Sequence, residues 1–586
     1  MLRKLLLVGA VQGWALWGLW KTRELKMWPA IDPLSERTLL YLALALPLAI
    51  YLTEGISSLA RQRRLFLLGI IALVFPLLGA YSGWADDVPV SLTSFGGIPF
   101  ARPSDLFAAA VLGFVLVPLL AHFDQRVRSW HYHELFETAW RNVILCVSAA
   151  FLTGIFWMVL FAGSELLHLI GLNFMRELIE KPIFSIPITG IAFGAAFALA
   201  LARAEMVVTL RRFQLSMLAW LLPLLMSFIL VWVVALPFTG VETLFKTHNA
   251  AFILLWCAAL CISFANAAYQ DGDAVPPYGK YLSRFLVWAW LGLPVVVGIA
   301  WWAMWLRISQ HGWSEDRVWG IFVVVMATLY VTGYAASSLR PAGWLTSIGK
   351  TNMWSAMVLC LGLLLLLSPI ADARRIAVNS QLQRLTSQTI SSNEFDFDYL
   401  RWQAGKYGQD ALHTLEAGIA HPDRVTLASK AKQMLAQQQR YLPEAGIKAL
   451  TVAELQQRIR VLPAGANLGD VLLKAMQSES DDWQLQRCFS TASQCAVWLV
   501  DLNADRAVDA VVLIKHEWGD RGSALVMQNI GNSYRLIGSL SLPHDESFSK
   551  RLDQIGRGEF KIVPPTWSDV ELAGQRLQVT IEHRHH

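Results

Sequence analysis

The sequence predicts a polytopic α-helical membrane domain of about 11 spans, followed by a soluble α+β domain with an antiparallel sheet. Three observations carry that expectation. Hydrophobic residues make up 55% of the 586 positions and charged residues only 16%, against roughly 25% charged in an ordinary soluble protein. Long apolar runs recur through residues 1–370 and then stop. The 25 Trp suit a chain with many membrane–water boundaries, where that side chain is enriched.

The chain opens on MLRKLLLVGAVQGWALWGLWKTR, a basic start and an apolar run. Bulky Trp and Leu stand where a signal peptide needs small residues for cleavage, so the stretch reads as a retained first span. Crossing a bilayer takes about 20 mostly apolar residues. Candidate spans centre on 4–20, 38–53, 65–83, 104–122, 142–163, 184–202, 213–236, 250–269, 284–305, 318–336 and 353–369. Basic residues mark alternate loops: Arg61, Arg63 and Arg64; Arg126 and Arg128; Arg203, Arg211 and Arg212; Lys280 and Arg284; Arg340 and Lys350. Positive charge collects on the cytoplasmic side, which places the N-terminus inside and residues 371–586 outside. The basic loop KTRELKMWPAIDPLSER runs against that count.

From about Ala371 the composition turns polar, and residues 371–586 read as a water-soluble domain, helical over 371–480 and strand-rich over 494–586. TVAELQQRIRVLP opens with a capping box, Thr451 with Glu454, and is expected to run as a helix to Pro463. AVWLV, DAVVLIKHEW, SALVMQNI, SYRLIGSLSL and RLQVTIEH read as strands between Gly, Asn and Asp turns. The net charge of +5 includes no long block of one sign, so nucleic acid is not an expected partner.

Cys488 and Cys495 form the only cysteine pair of the soluble part, and an oxidising compartment favours a disulfide over two unrelated buried thiols. Cys146, Cys257, Cys261 and Cys360 fall in predicted spans, where a thiol acts as a small apolar group. After AVWLV, Asp501, Asn503, Asp505 and Asp509 alternate at positions 1, 3, 5 and 9 of a loop, with the Ala507 carbonyl at position 7. Calcium is the ion such oxygens would take, and affinity would be weak, on the order of 10⁻⁴–10⁻³ M. Arg506 replaces the usual Gly and Val512 the closing Glu, so this is no EF-hand. The other reading is a solvated turn rich in Asp.

Three stretches together resemble a family of bacterial polytopic membrane proteins, domain of unknown function 4153. They are NAAYQDGDAVPPY (266–278), TNMWSAMVLCLGLLLLLSPIADARRIAVNSQ (351–381) and FDFDYLRWQAGKYGQDAL (395–412). The resemblance implies a membrane domain plus a C-terminal domain, hence a bacterial inner membrane and a periplasmic soluble part. It also sets the acidic loop beside a D-x-D/N-G-D-G loop in which Ala504 and Arg506 stand for both glycines. In the third stretch Tyr399, Arg401, Trp402 and Tyr407 cluster on a helix. They form either an aromatic core face, with Arg401 paired to Asp396 or Asp398, or a docking surface. Asp271 and Asp273 border a Gly-Pro turn that reads as solvated.

Ionisable residues deep in a span are functional candidates. Glu54, Asp105, His122, Glu165 and Glu205 all fall at span ends, leaving Asn266 as the polar candidate within the membrane. Gly190 and Gly194 make a GxxxG suited to close helix packing. No Walker loop, H-E-x-x-H, G-x-S-x-G or C-x-x-C occurs. The sequence therefore favours a non-enzymatic envelope protein whose outer domain senses or docks a protein partner. A transporter or lipid-handling channel and an interfacial enzyme are the alternatives. Apart from the lipid bilayer, no partner and no oligomeric state is fixed by the sequence.

Overall fold

The computed structural model describes residues 1–56, 58–86, 102–123, 129–240, 250–270, 272, 277–339, 348–392, 394–436, 452–463, 465–466, 468–478, 485, 488, 495–503, 505–515, 522–531, 533–540, 548–559, 570–572 and 575–577. The chain divides into two compact units, Met1–Gln438 and Gln439–His586. Asp271, Asp273, Thr451 and most of RLQVTIEH lie outside the described residues.

The first unit begins with helices α1 (Leu2–Glu24), α2 (Pro33–Thr53), α3 (Arg61–Ala85), α4 (Pro103–Ala121) and α5 (Tyr132–Leu169). It continues through α6 (Phe174–Glu180), α7 (Pro182–Ala202), α8 (Ala204–Thr239) and α9 (Ala250–Tyr269). Next come α10 (Lys280–Ala289), a 3₁₀ turn at Trp290–Gly292, α11 (Leu293–His311), α12 (Glu315–Ser338) and α13 (Ile348–Leu366). Among the described residues ten helical segments are long and apolar enough to cross a membrane, α10 to α11 counting as one. The first expected span forms as the 23-residue α1, but Lys, Arg, Gln and Gly keep it outside that ten. Proline at the first helical position starts α2, α4 and α7, where its missing N–H costs nothing.

Between lipid-facing helices the hydrophobic effect supplies little attraction, so close backbone contact has to hold them together. Glycines provide it twice. Gly9 and Gly13 of α1 face Gly190 and Pro187 of α7, Gly194 lies on the Leu5 carbonyl, and an added Cβ at Gly9 or Gly190 would fall on the carbonyl of the other. Thus Gly190 and Gly194 pack within the fold. Likewise Gly79 and Gly83 of α3 lie on the Arg37 and Pro33 carbonyls of α2. The Tyr51 ring closes the first crossing against Phe193 and Phe197, with centroids 5.5 and 5.1 Å away. At the C-terminal end of α2, Lys4 and Arg64 meet Glu54 at 2.5 and 3.5 Å. Arg141 donates to the Gly55 carbonyl at 2.9 Å there, a favourable place for positive charge.

Four helices of soluble composition complete this unit: α14 (Ala373–Thr386), α15 (Phe397–Trp402), α16 (Gly405–Ala417) and α17 (Arg424–Ala436). They share a core of Val378, Leu385, Phe397, Leu400, Leu412 and Leu427. Asp372 and Asp396 cap α14 and α15 by accepting from Arg374 N and Tyr399 N.

The second unit holds α18 (Val452–Arg458), β1 (Arg460–Leu462), α19 (Asp470–Ser478), β2 (Cys495–Val500), β3 (Asp509–Lys515), β4 (Gly522–Ile530), β5 (Ser533–Leu540) and α20 (Phe548–Gly556). Short strands β6 (Val570–Leu572) and β7 (Gln575–Leu577) pair with each other. The five-stranded sheet runs β1-β2-β3-β4-β5. Four strands are antiparallel as expected, whereas β1 joins the edge in parallel with β2. Hence the expected helix to Pro463 ends at Arg458, because Arg460–Leu462 gain backbone partners on β2. Central β3 reads as an unbroken apolar run, being buried on both faces. One face meets Leu455, Leu472 and Met476 of α18 and α19; the other meets Phe548 and Leu552 of α20.

Replacing Gly190 with Leu is expected to part α1 from α7, since the clash falls on backbone and not on a side chain free to turn. Overpacking of this kind costs on the order of 1–3 kcal/mol or more. Thermal melting in detergent should show a lower Tm, while the same change at Gly18, where a Cβ meets nothing within 4 Å, leaves Tm in place.

Candidate functional site

Three places in the first unit bring chemistry-bearing groups together. The largest is a chamber of about 610 Å³ between α1, α2, α3, α4 and α7. Small residues on the walls create it: Ala45 and Ala49 on α2, Ala109, Ala110 and Gly113 on α4. Among the described residues its lining contains no charged side chain, and Gln12, Ser185 and Thr189 supply the hydrogen-bonding groups along with Tyr41 and Tyr51. Thr189 is already engaged, donating to the Ser185 carbonyl at 2.6 Å and accepting from Trp157 at 3.1 Å. Tyr41 and Tyr51 lie ten residues apart on α2, so the lining follows that helix for roughly 15 Å, half the hydrocarbon thickness.

The second place is built around Asn266. Its amide donates to the Ile262 carbonyl at 2.9 Å, and its Oδ1 accepts from Asn352 Nδ2 at 2.6 Å. Asn352 also donates to the Tyr132 hydroxyl at 2.8 Å and accepts from the buried Tyr334 hydroxyl at 2.5 Å. Four helices, α5, α9, α12 and α13, thus meet in one uncharged network. It borders a cavity of about 350 Å³ whose other walls include Phe114, Phe136 and Trp140. Sequence reading singled out Asn266 but missed its partners. Asn352 stands out in hindsight as an amide opening the apolar run of α13. The tyrosines give no such signal, since an aromatic near a span end is ordinary.

The third is a charged junction where α14 leaves the last span. Arg374 is buried, and its guanidinium meets Asp86 at 2.5 Å and both oxygens of Asp372 at 3.1 and 2.8 Å. Tyr81 donates to Asp372 at 2.6 Å and meets the Tyr407 hydroxyl at 3.0 Å. Arg102 binds Glu315 at 2.5 Å and also donates to the Gln403 carbonyl. Burial alone would raise the Asp372 pKa, but hydrogen bonds and charge from Arg374 outweigh it and hold the carboxyl below its usual range. Burial likewise opposes the charge on Arg374, and Asp372 with Asp86 overcomes it, raising its pKa. The Tyr399 hydroxyl donates to Glu315 at 3.0 Å; burial first and that carboxylate second push its pKa up. The four aromatic-cluster residues divide between two helices, Tyr399, Arg401 and Trp402 on α15 and Tyr407 on α16, instead of sharing one. Tyr399 and Tyr407 reach the membrane helices, while buried Arg401 stacks on Trp402 with the guanidinium 4.9 Å from the ring centre. Lys406 sits 4.5 Å above Trp84, which meets Tyr407 edge to face.

In the second unit Cys488 and Cys495 are bonded, with Sγ atoms 2.03 Å apart. The acidic loop joins β2 to β3 and spends its oxygens on its own turn. Asp501 accepts from Arg506 N at 3.0 Å, Asn503 from Asp505 N at 3.2 Å, and Asp505 from Ala507 N at 2.7 Å. Asp509 is buried and accepts from Leu502 N and Asn529 N. Asp501 Oδ1 is buried without a hydrogen-bond partner. Among the described residues no group of three or more His, Cys, Asp or Glu side chains is placed to hold a metal ion.

One family matches the chain over residues 29–417, described as Domain of unknown function (DUF4153). The chain belongs to the DUF4153 family. No curated protein and no solved structure matches it. The DUF4153 match takes in ten membrane helices and continues through α14 to the end of α16, so the junction residues Tyr81, Asp372, Arg374 and Tyr407 all fall inside it.

Arg374→Ala should cost about 3–5 kcal/mol, because it removes the guanidinium paired with buried Asp372 and the closest cation to half-buried Asp86. Denaturation in detergent reads this directly. Asp372 has a depressed folded pKa, so its stabilisation is present above the ordinary carboxylate range and is lost as pH falls through the folded value. Acid should therefore destabilise the wild type, and Asp372→Asn should flatten that part of the profile.

Proposed function

We propose that this integral membrane protein is a non-enzymatic, lipid-handling protein of a bacterial inner membrane. The observation that supports it is the uncharged chamber of about 610 Å³ within the span bundle, inside the range of roughly 300–1,000 Å³ typical of ligand sites. Its length along α2 suits one acyl chain in one leaflet. Ion-coupled transport is the weaker reading, because the described carboxylates of the spans lie near helix ends and none lines the chamber. In the orientation set by the basic loops, the charged junction and the second unit face the periplasm, where that unit would sense or dock a protein partner. The test is the lipid carried through purification in detergent. Wild-type protein should retain acyl-chain lipid after gel filtration, and Ala109→Phe, which fills the chamber, should retain less than half as much. Equal retention would remove the reading.

Calcium bracing of the loop at Asp501, Asn503, Asp505, Ala507 and Asp509 is a second reading, favoured by the unpartnered Asp501 Oδ1. Millimolar calcium should then raise the Tm of the full chain, and Asp501→Asn should abolish the response. An unchanged Tm in both proteins would leave the loop a turn.

A further inference from the structure

We infer that the Asn266–Asn352–Tyr132–Tyr334 network forms a second site, one that takes the uncharged glycerol-ester or hydroxyl end of a lipid. This rests on the lipid-handling reading and adds the chemistry of the molecule. Depth is the first argument. Asn266 lies three residues before the end of α9, Asn352 four residues into α13, and Tyr334 four residues before the end of α12. At 1.5 Å per residue these groups sit about 6 Å or less from the helix ends. With 20 and 19 residues, α9 and α13 are about as long as a hydrocarbon core is thick, roughly 30 Å, so these groups lie at its edge, where acyl chains join the headgroup layer. Glycerol and ester groups occupy that level.

Charge is the second argument. Among the described residues no Asp, Glu, Lys, Arg or His lines the 350 Å³ cavity, so none of them there neutralises a phosphate or a quaternary amine. Carboxamides and phenols both donate and accept, which suits a hydroxyl or an ester. The network is also fixed before any ligand arrives. Asn352 is held from three sides, and the Tyr132 ring lies on Gly349, where an added Cβ would come within 2.9 Å of it. Phe136 and Trp140 leave an apolar wall for the start of the chains. Lys350, exposed two residues before Asn352, is the cation nearest in sequence, but it is not part of the lining.

The experiment measures binding of radiolabelled dioctanoylglycerol and of dioctanoyl phosphatidic acid to the full-length protein in detergent, corrected for empty micelles. Wild type should prefer the uncharged lipid by about tenfold, the equivalent of about 1.4 kcal/mol. Ala139→Phe, which fills this cavity from the α5 wall and leaves all four network residues in the sequence, should abolish the preference, and Asn352→Leu should weaken binding of the uncharged lipid at least about tenfold. Equal or tighter binding of phosphatidic acid overturns the inference, as does a preference that survives Ala139→Phe. A preference removed by Ala109→Phe but not by Ala139→Phe assigns the lipid to the larger chamber, overturning this site while the lipid-handling reading stands. If neither lipid binds and wild type also retains none on purification, both are lost.

Discussion

Backbone contact between helices is the constraint on which this membrane unit depends. Lipid tails are as apolar as the side chains they surround, so van der Waals contact must replace the hydrophobic drive that packs a soluble core. Gly9 with Gly190, and Gly79 with the Arg37 carbonyl, bring two helix pairs together more closely than any side chain would permit. Between the pairs, Ala45, Ala49, Ala109 and Gly113 are too small to fill the remaining space. The chamber is therefore what remains when crossings are fixed by glycine and the walls between them are lined with alanine.

Polarity in the unit is graded by position. The chamber is uncharged, the Asn266 network is polar but neutral, and the junction at Arg374 carries full charges. That order follows the cost of removing each kind of group from water. A carboxylate tolerates burial at Asp372 because a guanidinium and a phenol both hydrogen-bond to it. Tyr41 borders both the apolar chamber and the small polar cavity beside Asp105 and Arg374, so one phenol separates the two environments.

Much of the architecture was legible in the sequence because membrane spans and central strands leave strong apolar signals. The run DAVVLIK shows in its composition that both faces of β3 are covered. The three residues Arg460–Leu462 carried no such signal; pairing with β2 overrode the helical pattern ahead of Pro463. Asn266 could be found alone, since an amide within an apolar run is unusual. Its meeting with Asn352 and Tyr132, 86 and 220 residues from their partners in the chain, depends on helix arrangement that a single sequence does not encode locally. The junction was hidden for a different reason. Asp86, Arg102, Glu315 and Asp372 each look like an ordinary charge at a span end, and their convergence is a property of the packed bundle.

Composition and packing mark different boundaries in this chain. Sequence polarity changes near residue 371, yet the helices that follow belong to the same compact unit as the spans. Gly405, in a left-handed conformation with φ of 58°, lies against the Ala85 carbonyl at the end of α3, where any side chain would collide. A chain cut at the polarity boundary would leave Tyr81 without Asp372 and Tyr407, Asp86 without its closest cation, and the end of α3 uncovered. The smallest piece that keeps those groups satisfied must carry its water-soluble helices with it, although nothing in their composition marks them as part of a membrane protein.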